Sequence, residues 1–150
     1  MFLAGCGGGK TGEQPQLVQG DGFRFTAPPG WQVQHTRTAS LARHGALDVV
    51  EVFVFKTQKE YRTALFPKLP QELDRVSASL AKKLGGHVVS RRQVVVDGRK
   101  AWSYRTASHK SYEQITFVFE GRKEYELLCQ RAEGEDDLPC AQLLTSFALS

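Results

Sequence analysis

The chain has 150 residues, of which 41% are hydrophobic and 24% are charged, so one globular domain of ordinary size is expected. No apolar run reaches the roughly 18 residues that a membrane span needs, which excludes a membrane-spanning helix. The 20 basic residues are scattered among 16 acidic ones, and the resulting net charge of +4 lacks the concentrated basic footprint of a nucleic-acid-binding protein.

The tetrapeptide Leu3-Ala4-Gly5-Cys6 resembles the lipobox of bacterial lipoproteins. In such proteins small residues give a signal peptidase access to the bond before the cysteine, and the thiol then carries the anchoring lipid. The Gly-rich polar stretch at residues 7–16 is typical of a flexible tether. The resemblance implies an exported protein that is anchored to the outer face of a bacterial membrane through Cys6.

Two features of this N-terminal segment need a separate interpretation. Only Met1 and Phe2 precede the tetrapeptide, although a secretory signal contains an apolar stretch of roughly 7–15 residues, so either the start codon lies upstream or the chain is truncated. A chance match near an ordinary N-terminus is the alternative.

The stretch from Ala4 to Thr11, which includes Lys10, also fits a loose Walker A pattern. Because no strand precedes it and no helix follows it, we predict no nucleotide site.

Residues 1–20 are therefore assigned to the lipobox remnant and tether, and residues 21–150 to one domain. The first half of the domain is predicted to contain one helix, which begins at Pro70 and ends at Gly85-Gly86. Residues 56–69 are predicted to form a loop. Alternating apolar residues indicate four strands before it, over residues 22–26, 31–37, 40–44 and 46–55. The last of these is apolar on both faces, which is typical of a central strand.

The second half is predicted to be a meander followed by a helix. Asp97-Gly98 is a strong signal of a two-residue hairpin turn between its first two strands. Asp137 is predicted to cap the final helix. One face of that helix carries Cys140, Leu143, Leu144 and Phe147. The four strands of the meander cover residues 88–96, 100–106, 112–119 and 123–130.

Three cysteines occur in the chain, and if Cys6 carries a lipid, Cys129 and Cys140 remain as a pair. Cys129 ends the last strand and Cys140 faces the sheet from the final helix, so a disulfide would attach that helix to the sheet. Such a pair is expected to oxidise outside the cytoplasm. Two buried free thiols that never meet are the alternative.

Several short motifs stand in an order that is typical of a known family. They are Gly22-Phe23-Arg24-Phe25 with Pro29-Gly30-Trp31, Leu84-Gly85-Gly86, Val95 to Ala101, and Cys140-x-x-Leu143-x-x-Ser146-Phe147. Together they resemble the PsbP-like family over residues 20–149. Its members include an extrinsic lumenal subunit of photosystem II, Ran-binding Mog proteins and small bacterial lipoproteins. The resemblance implies an α+β fold, an antiparallel sheet flanked by helices in an α/β/α sandwich, in proteins that mostly bind or scaffold.

No catalytic or metal-binding constellation can be identified, and no cofactor is predicted. Glu124 and Glu126 share one side of the last strand and Glu113 could join them, but carboxylates on an amphipathic strand more often form its solvated face. No serine lies in a G-x-S-x-G context. None of the histidines stands at the spacing of a metal site: His35, His44, His87 and His109. We therefore predict that the chain is not an enzyme.

Basic side chains concentrate on the predicted hairpin: Arg91, Arg92, Arg99, Lys100 and Arg105. One interpretation is a contact surface for an anionic partner, such as lipid headgroups or wall phosphates, with Trp102 and Tyr104 beside it. The other interpretation is that these are the water-facing positions of an exposed hairpin, with the two aromatic residues buried on the opposite face.

The sequence thus predicts a lipid-anchored protein of the cell envelope with a non-catalytic binding or accessory (scaffold) domain. Its expected partners are the membrane, through the lipid on Cys6, and an envelope protein or an anionic wall or lipid surface; neither nucleic acid nor a nucleotide is expected. Two alternatives stay open. One is an exported hydrolase or transferase with a non-contiguous active site, and the other is a small-ligand carrier with an apolar pocket between sheet and helix.

Overall fold

The structure is a computed structural model that describes residues 14–150. Cys6 with the rest of the lipobox, the Walker-like stretch and the predicted tether up to residue 13 lie outside the described residues. The helices are a 3-10 helix (Thr63–Lys68), α1 (Pro70–Lys83) and α2 (Leu138–Ser146). The strands are β1 (Gln16–Gln19), β2 (Phe23–Ala27), β3 (Gln32–His35), β4 (Ala39–His44), β5 (Asp48–Lys56), β6 (His87–Val96), β7 (Arg99–Ala107), β8 (Ser111–Glu120), β9 (Lys123–Ala132) and β10 (Ala148–Leu149).

The strands form two antiparallel sheets. The main sheet has seven strands in the order β3-β4-β5-β9-β8-β7-β6, and the small sheet has the order β1-β2-β10. Helix α1 packs on one face of the main sheet, over β6 and β7, whereas α2 and the small sheet pack on the other face. Neither helix of residues 14–150 has both the length and the hydropathy that crossing a membrane requires.

The predicted fold class, an α/β/α sandwich, is wrong. Strands make up 50% of the described residues and helices only 21%, so the protein has a β-rich fold. The difference arises on the α2 side of the main sheet, where the covering layer contains a second sheet. β1 and β10 pair with the two edges of β2, and β2 therefore belongs to that layer rather than to the main sheet.

Most individual elements agree with the sequence pattern. The eight strands β2 to β9 and both α-helices occupy the predicted segments, with ends that differ by a few residues at most. Three elements were not predicted: β1 lies within the segment assigned to the tether, the 3-10 helix lies within the predicted loop, and β10 follows the predicted final helix. Strand β1 extends the folded domain back to Gln16.

The core on the α2 side contains the predicted disulfide. Val52 and Leu127 of the main sheet belong to one buried cluster with Phe25 of the small sheet. Cys129 and Cys140 are buried in the same cluster and form a disulfide with a Cα–Cα distance of 5.3 Å. The predicted pairing is confirmed, and it attaches α2 to β9.

On the α1 side, polar contacts position the helix over the sheet. The indole N–H of Trp102 donates to the carbonyl oxygen of Phe66 at 2.9 Å, and their rings stack at 4.9 Å. The hydroxyl of Tyr104, which is 1% exposed, donates to Asp74 at 2.5 Å. Arg91 contacts the two carboxylate oxygens of Asp74 at 2.9 and 2.8 Å. The bond from Tyr104, together with Arg91, lowers the pKa of Asp74.

Residues with positive φ make two of the predicted chain reversals. Asp97 and Gly98 have φ values of 49° and 74°, as a type I′ hairpin turn between β6 and β7 requires. Gly85 has a φ of 72°, and the N–H of Gly86 donates to the carbonyl oxygen of Ala81 at 2.9 Å. This is the Schellman arrangement that ends a helix.

We expect the double substitution of Cys129 and Cys140 by Ala to lower the free energy of unfolding by about 2–3 kcal/mol, because the disulfide restricts the unfolded chain. Urea denaturation measures the difference. Reductant should destabilise the wild-type protein by a similar amount and leave the double variant unchanged. A wild-type midpoint that does not respond to reductant would contradict this role of the disulfide.

We expect Asp74→Ala to lower the free energy of unfolding by about 1–2 kcal/mol, because the buried hydroxyl of Tyr104 loses its acceptor. Asp74→Asn keeps an acceptor and should cost less. Substitution of the exposed Ser79 by Ala on the same helix is the control, with an expected change within about 0.5 kcal/mol. Equal stability of the Asp74→Ala and Ser79→Ala variants would show that the contact does not hold the helix.

Candidate functional site

The five basic residues of the predicted contact surface do not lie on one surface. They belong to the β6–β7 hairpin, at one edge of the main sheet. Successive residues of a strand point to opposite faces, and the observed register therefore divides the five. Arg91 and Lys100 lie on the face on which α1 packs, and Arg92, Arg99 and Arg105 lie on the opposite face.

Two of the five form ion pairs with neighbouring elements. Arg91 pairs with Asp74 of α1, as described above. The guanidinium of Arg99 contacts Glu120 at 2.7 Å and Asp97 at 3.1 Å, and it thereby connects the two hairpin turns at one end of the sheet. The hydrogen bond that Arg99 donates to Glu120 raises the pKa of Arg99. These two arginines therefore have acidic partners within the fold.

Arg92 and Arg105 lie together in a small polar pocket, which we call the arginine pocket. In the register of the hairpin, Arg92 lies opposite Ser103 and Arg105 lies opposite Ser90. The two arginines are therefore diagonal neighbours on one face of the sheet. Within residues 14–150 neither guanidinium forms an ion pair. The pocket has a volume of about 130 Å³ and is lined by Ser90, Arg92, Ser103, Arg105, Gln114 and Asp137.

The floor and one wall of the arginine pocket are held in place by hydrogen bonds. Ser103 is 2% exposed, and its hydroxyl bonds to that of Thr116 in β8 at 2.8 Å. The guanidinium of Arg105 lies over the ring of Tyr112 at 4.4 Å. The hydroxyl of Tyr112 donates to the carbonyl oxygens of the two residues that precede Asp137, at 3.1 and 3.0 Å. One tyrosine thus connects an arginine of the pocket to the loop that carries its acidic residue.

Chemically, this arrangement is suited to binding an oxyanion. A guanidinium presents its N–H groups in a planar fork that matches carboxylate and phosphate oxygens. Hydroxyl and amide groups beside the two forks add neutral donors. Sequence reasoning identified Arg92 and Arg105 but missed Ser103, Gln114 and Asp137, because only the strand register and the loop before α2 bring them together.

A second cleft lies on the α1 side, at the end of the sheet that carries the hairpin turns. Its volume is about 610 Å³, and its walls include Tyr61, Phe66, Phe119 and Lys100. The rings of Tyr61 and Phe119 stack at 5.4 Å. The backbone N–H of Tyr61 donates to the carbonyl oxygen of Gly121 at 2.7 Å, which fixes the loop to the β8–β9 turn. We call this the aromatic cleft.

The carboxylates of the meander are less solvated than the sequence pattern predicts. Glu124 and Glu126 of β9 are half-buried, and burial raises the pKa of both. The pKa of Glu126 reaches about 7, with a smaller contribution from its repulsion by Glu124. Glu113 is 5% exposed, and its pKa is also raised by burial. Its cross-strand partner is Gln130, so it does not join the other two.

The histidines are distributed over separate parts of the fold. All four are exposed; His35 bonds to Ser40 at 2.9 Å, and the ring of His44 stacks on that of Trp31 with a centroid distance of 6.1 Å. Among residues 14–150, no group of three or more His, Cys, Asp or Glu side chains is arranged to hold a metal ion.

Comparison with known proteins gives the fold but no function. No family model matches the chain, and no curated protein matches it. A crystal structure of a protein from Bacteroides thetaiotaomicron aligns with it at a TM-score of 0.53 and 12% identity. The alignment covers 93% of this chain and 49% of the other, so the chain spans about half the length of that protein. The likeness shows the fold alone, and the resemblance to PsbP-like proteins stays a prediction.

We expect the protein to become less stable as the pH rises from about 4.5 to about 7, because the folded state favours the protonated form of Glu126. The unfolded chain loses this proton near the ordinary glutamate pKa, so the stability is fully present below that value and is lost towards the raised one. Glu126→Gln should reduce this decrease in the free energy of unfolding by on the order of 1 kcal/mol, after allowance for solvent screening.

Thermal unfolding between pH 4 and pH 8 measures this effect. Substitution of the exposed Glu133 by Gln is the matched control and should leave the wild-type profile unchanged. A Glu126→Gln profile that coincides with that of Glu133→Gln would show that Glu126 is not the source of the pH dependence.

Proposed function

We propose that this chain is a lipid-anchored protein of the bacterial cell envelope whose domain is a non-catalytic binding or accessory module. The disulfide between Cys129 and Cys140 carries the proposal, because disulfides persist mainly in oxidising compartments outside the cytoplasm. The proposed location also agrees with the lipobox-like Leu3-Ala4-Gly5-Cys6, in which Cys6 would carry the lipid. Two independent features of the chain thus favour the same location.

For the binding part of the proposal, the arginine pocket is the best-supported contact site. Arg92 and Arg105 have no ion pair within the described residues, and a net charge of +4 favours attraction to anionic surfaces in general. We therefore restrict the predicted anionic contact from five residues to these two. Arg91 and Arg99 instead stabilise the fold through their acidic partners.

The length of the N-terminal segment is compatible with contact between the domain and the membrane that holds it. Nine residues lie between Cys6 and Gln16, the first residue of β1, and the ten residue-to-residue steps from one to the other span at most about 33–36 Å when fully extended. A segment of this length is long enough to bring the domain into contact with the headgroups. The arginine pocket can then meet either the anchoring membrane or a wall polymer next to it.

The aromatic cleft favours a second candidate function, a carrier of a small ligand. Its volume of about 610 Å³ falls in the range of small-molecule sites, and the rings of Tyr61, Phe66 and Phe119 give it an apolar wall. Lys100 at its rim offers a positive charge for an anionic group of such a ligand. Saturable binding of an apolar fluorescent probe that Phe119→Ala abolishes would favour the carrier.

To test the anchor, the chain is expressed in bacteria from its own gene together with the native upstream codons. We expect the mature protein to fractionate with the membrane and its intact mass to include a diacylglyceryl group. Cys6→Ser should remove both properties, whereas substitution of Cys129 and Cys140 by Ala should leave both intact. An unmodified wild-type protein with reduced Cys129 and Cys140 would overturn the proposed location.

A further inference from the structure

We propose that the arginine pocket binds one phosphoryl group whose organic part carries a hydroxyl nearby, as in glycerol phosphate. The inference rests on the proposed function and names the ligand class of its contact site. The same chemistry occurs in a phosphatidylglycerol headgroup and in a glycerol-phosphate polymer. The experiment below distinguishes these two sources.

The first argument is the arrangement of charge. Arg92 and Arg105 lie on adjacent strands as diagonal neighbours, whose positions in a sheet are typically about 7–8 Å apart. Both guanidinium groups line the same small pocket. The carboxylate of Asp137 lines the same pocket and leaves a net charge of +1 there, so an anion that enters between the two guanidinium groups is still attracted. Arg91 and Arg99 of the same hairpin have acidic partners in the fold, and Lys100, which has none within residues 14–150, lies on the other face of the sheet.

The second argument is the size of the pocket. Its volume of about 130 Å³ is about a fifth of that of the aromatic cleft, which is about 610 Å³. This space accommodates a tetrahedral phosphoryl group and a few further atoms, but not a nucleoside. The pocket therefore selects the anionic end of a ligand and leaves the rest of that ligand outside.

The third argument is the set of neutral donors on the floor. The hydroxyls of Ser103 and Thr116 bond to each other at 2.8 Å, and when Thr116 donates, the proton of Ser103 is left for a ligand oxygen. Ser90 and Gln114 add a hydroxyl and an amide on the same side. Together with the two guanidinium groups, these groups offer more donors than the two oxygens of a carboxylate use. A phosphoryl group, which has three terminal oxygens on one phosphorus atom, matches them better.

Asp137 determines what accompanies the phosphoryl group. Its carboxylate lines the pocket, although it precedes α2 as the cap residue and makes no side-chain cap bond to the helix. A carboxylate repels a bare anion, but it accepts a hydrogen bond from a hydroxyl group. The pocket should therefore prefer a phosphate ester that carries a hydroxyl over inorganic phosphate.

The test uses the full chain with Cys6→Ser, so that no lipid is attached, and two-dimensional amide NMR. Titration with glycerol 3-phosphate should shift the signals of Ser103 and Gln114. Arg105→Gln should weaken the fitted affinity at least tenfold. Arg75→Gln removes the same charge from α1 on the opposite face of the sheet and should leave the affinity within twofold of the parent value.

A second variant separates the two parts of the ligand. We expect Asp137→Asn to strengthen the binding of inorganic phosphate and to reduce the preference for glycerol 3-phosphate over it by fivefold or more. If Arg105→Gln does not fold, Arg92→Lys serves in its place, because it keeps the charge but loses the planar fork. Affinities that fall equally in Arg75→Gln and Arg105→Gln would overturn the site, as would spectra that no probe changes.

Vesicles identify the source. Sedimentation of the same chain with phosphatidylglycerol vesicles but not with phosphatidylcholine vesicles, reversed by free glycerol 3-phosphate, would assign the pocket to lipid headgroups. Binding of free glycerol 3-phosphate without any sedimentation would assign it to a wall polymer or a soluble ester. Because acylation of Cys6 is measured separately, failure of the pocket and failure of the proposed anchor give different results.

Discussion

The antiparallel pairing of β5 with β9 is the contact on which the rest of the structure depends. Eight residue pairs join the strands that precede α1 to the meander that follows it. The partners are far apart in the chain, so the pairing of β5 with β9 costs conformational entropy. Burial of apolar side chains on both faces of the sheet must offset this cost. Cys129 lies opposite Val50 in this pairing, and its disulfide to Cys140 therefore holds α2 directly over the paired strands. The small sheet and the end of the chain then pack around α2.

Much of this fold is predictable from local sequence patterns. The alternation of apolar residues predicted eight strands, and Asp97-Gly98 predicted the turn between β6 and β7, because each signal acts over a few neighbouring residues. The second sheet was not predictable in the same way. β10 has only two residues and β1 only four, and both are strands because the edges of β2 offer hydrogen-bonding partners. The β-rich layer beside α2 is thus a tertiary effect, which explains why the predicted sandwich of helices on a single sheet was wrong.

The candidate site could be predicted only in part, for a related reason. A count of basic residues locates the hairpin, but it does not show which of them remain without an acidic partner. That distinction depends on α1, which supplies Asp74 to Arg91, and on the β8–β9 turn, which supplies Glu120 to Arg99. The neutral and acidic groups of the arginine pocket come from β8 and from the loop before α2, and no spacing along the chain connects them to the hairpin. Likewise, the raised pKa of Glu126 results from burial that an alternating strand pattern does not reveal.

Strand β6 is an edge strand of the main sheet, which has a consequence for the protein at high concentration. One edge of this ten-residue strand has no partner strand within residues 14–150, and Val89 and Val95 are 55% and 68% exposed. A long regular border of this kind templates pairing with another copy, which is the first step towards aggregation. The bulge near the start of β6 interrupts its regularity, and Arg92, which has no ion pair within residues 14–150, places a positive charge on one face of the strand. Electrostatic repulsion between the Arg92 side chains of two such edge strands therefore opposes sheet extension from molecule to molecule.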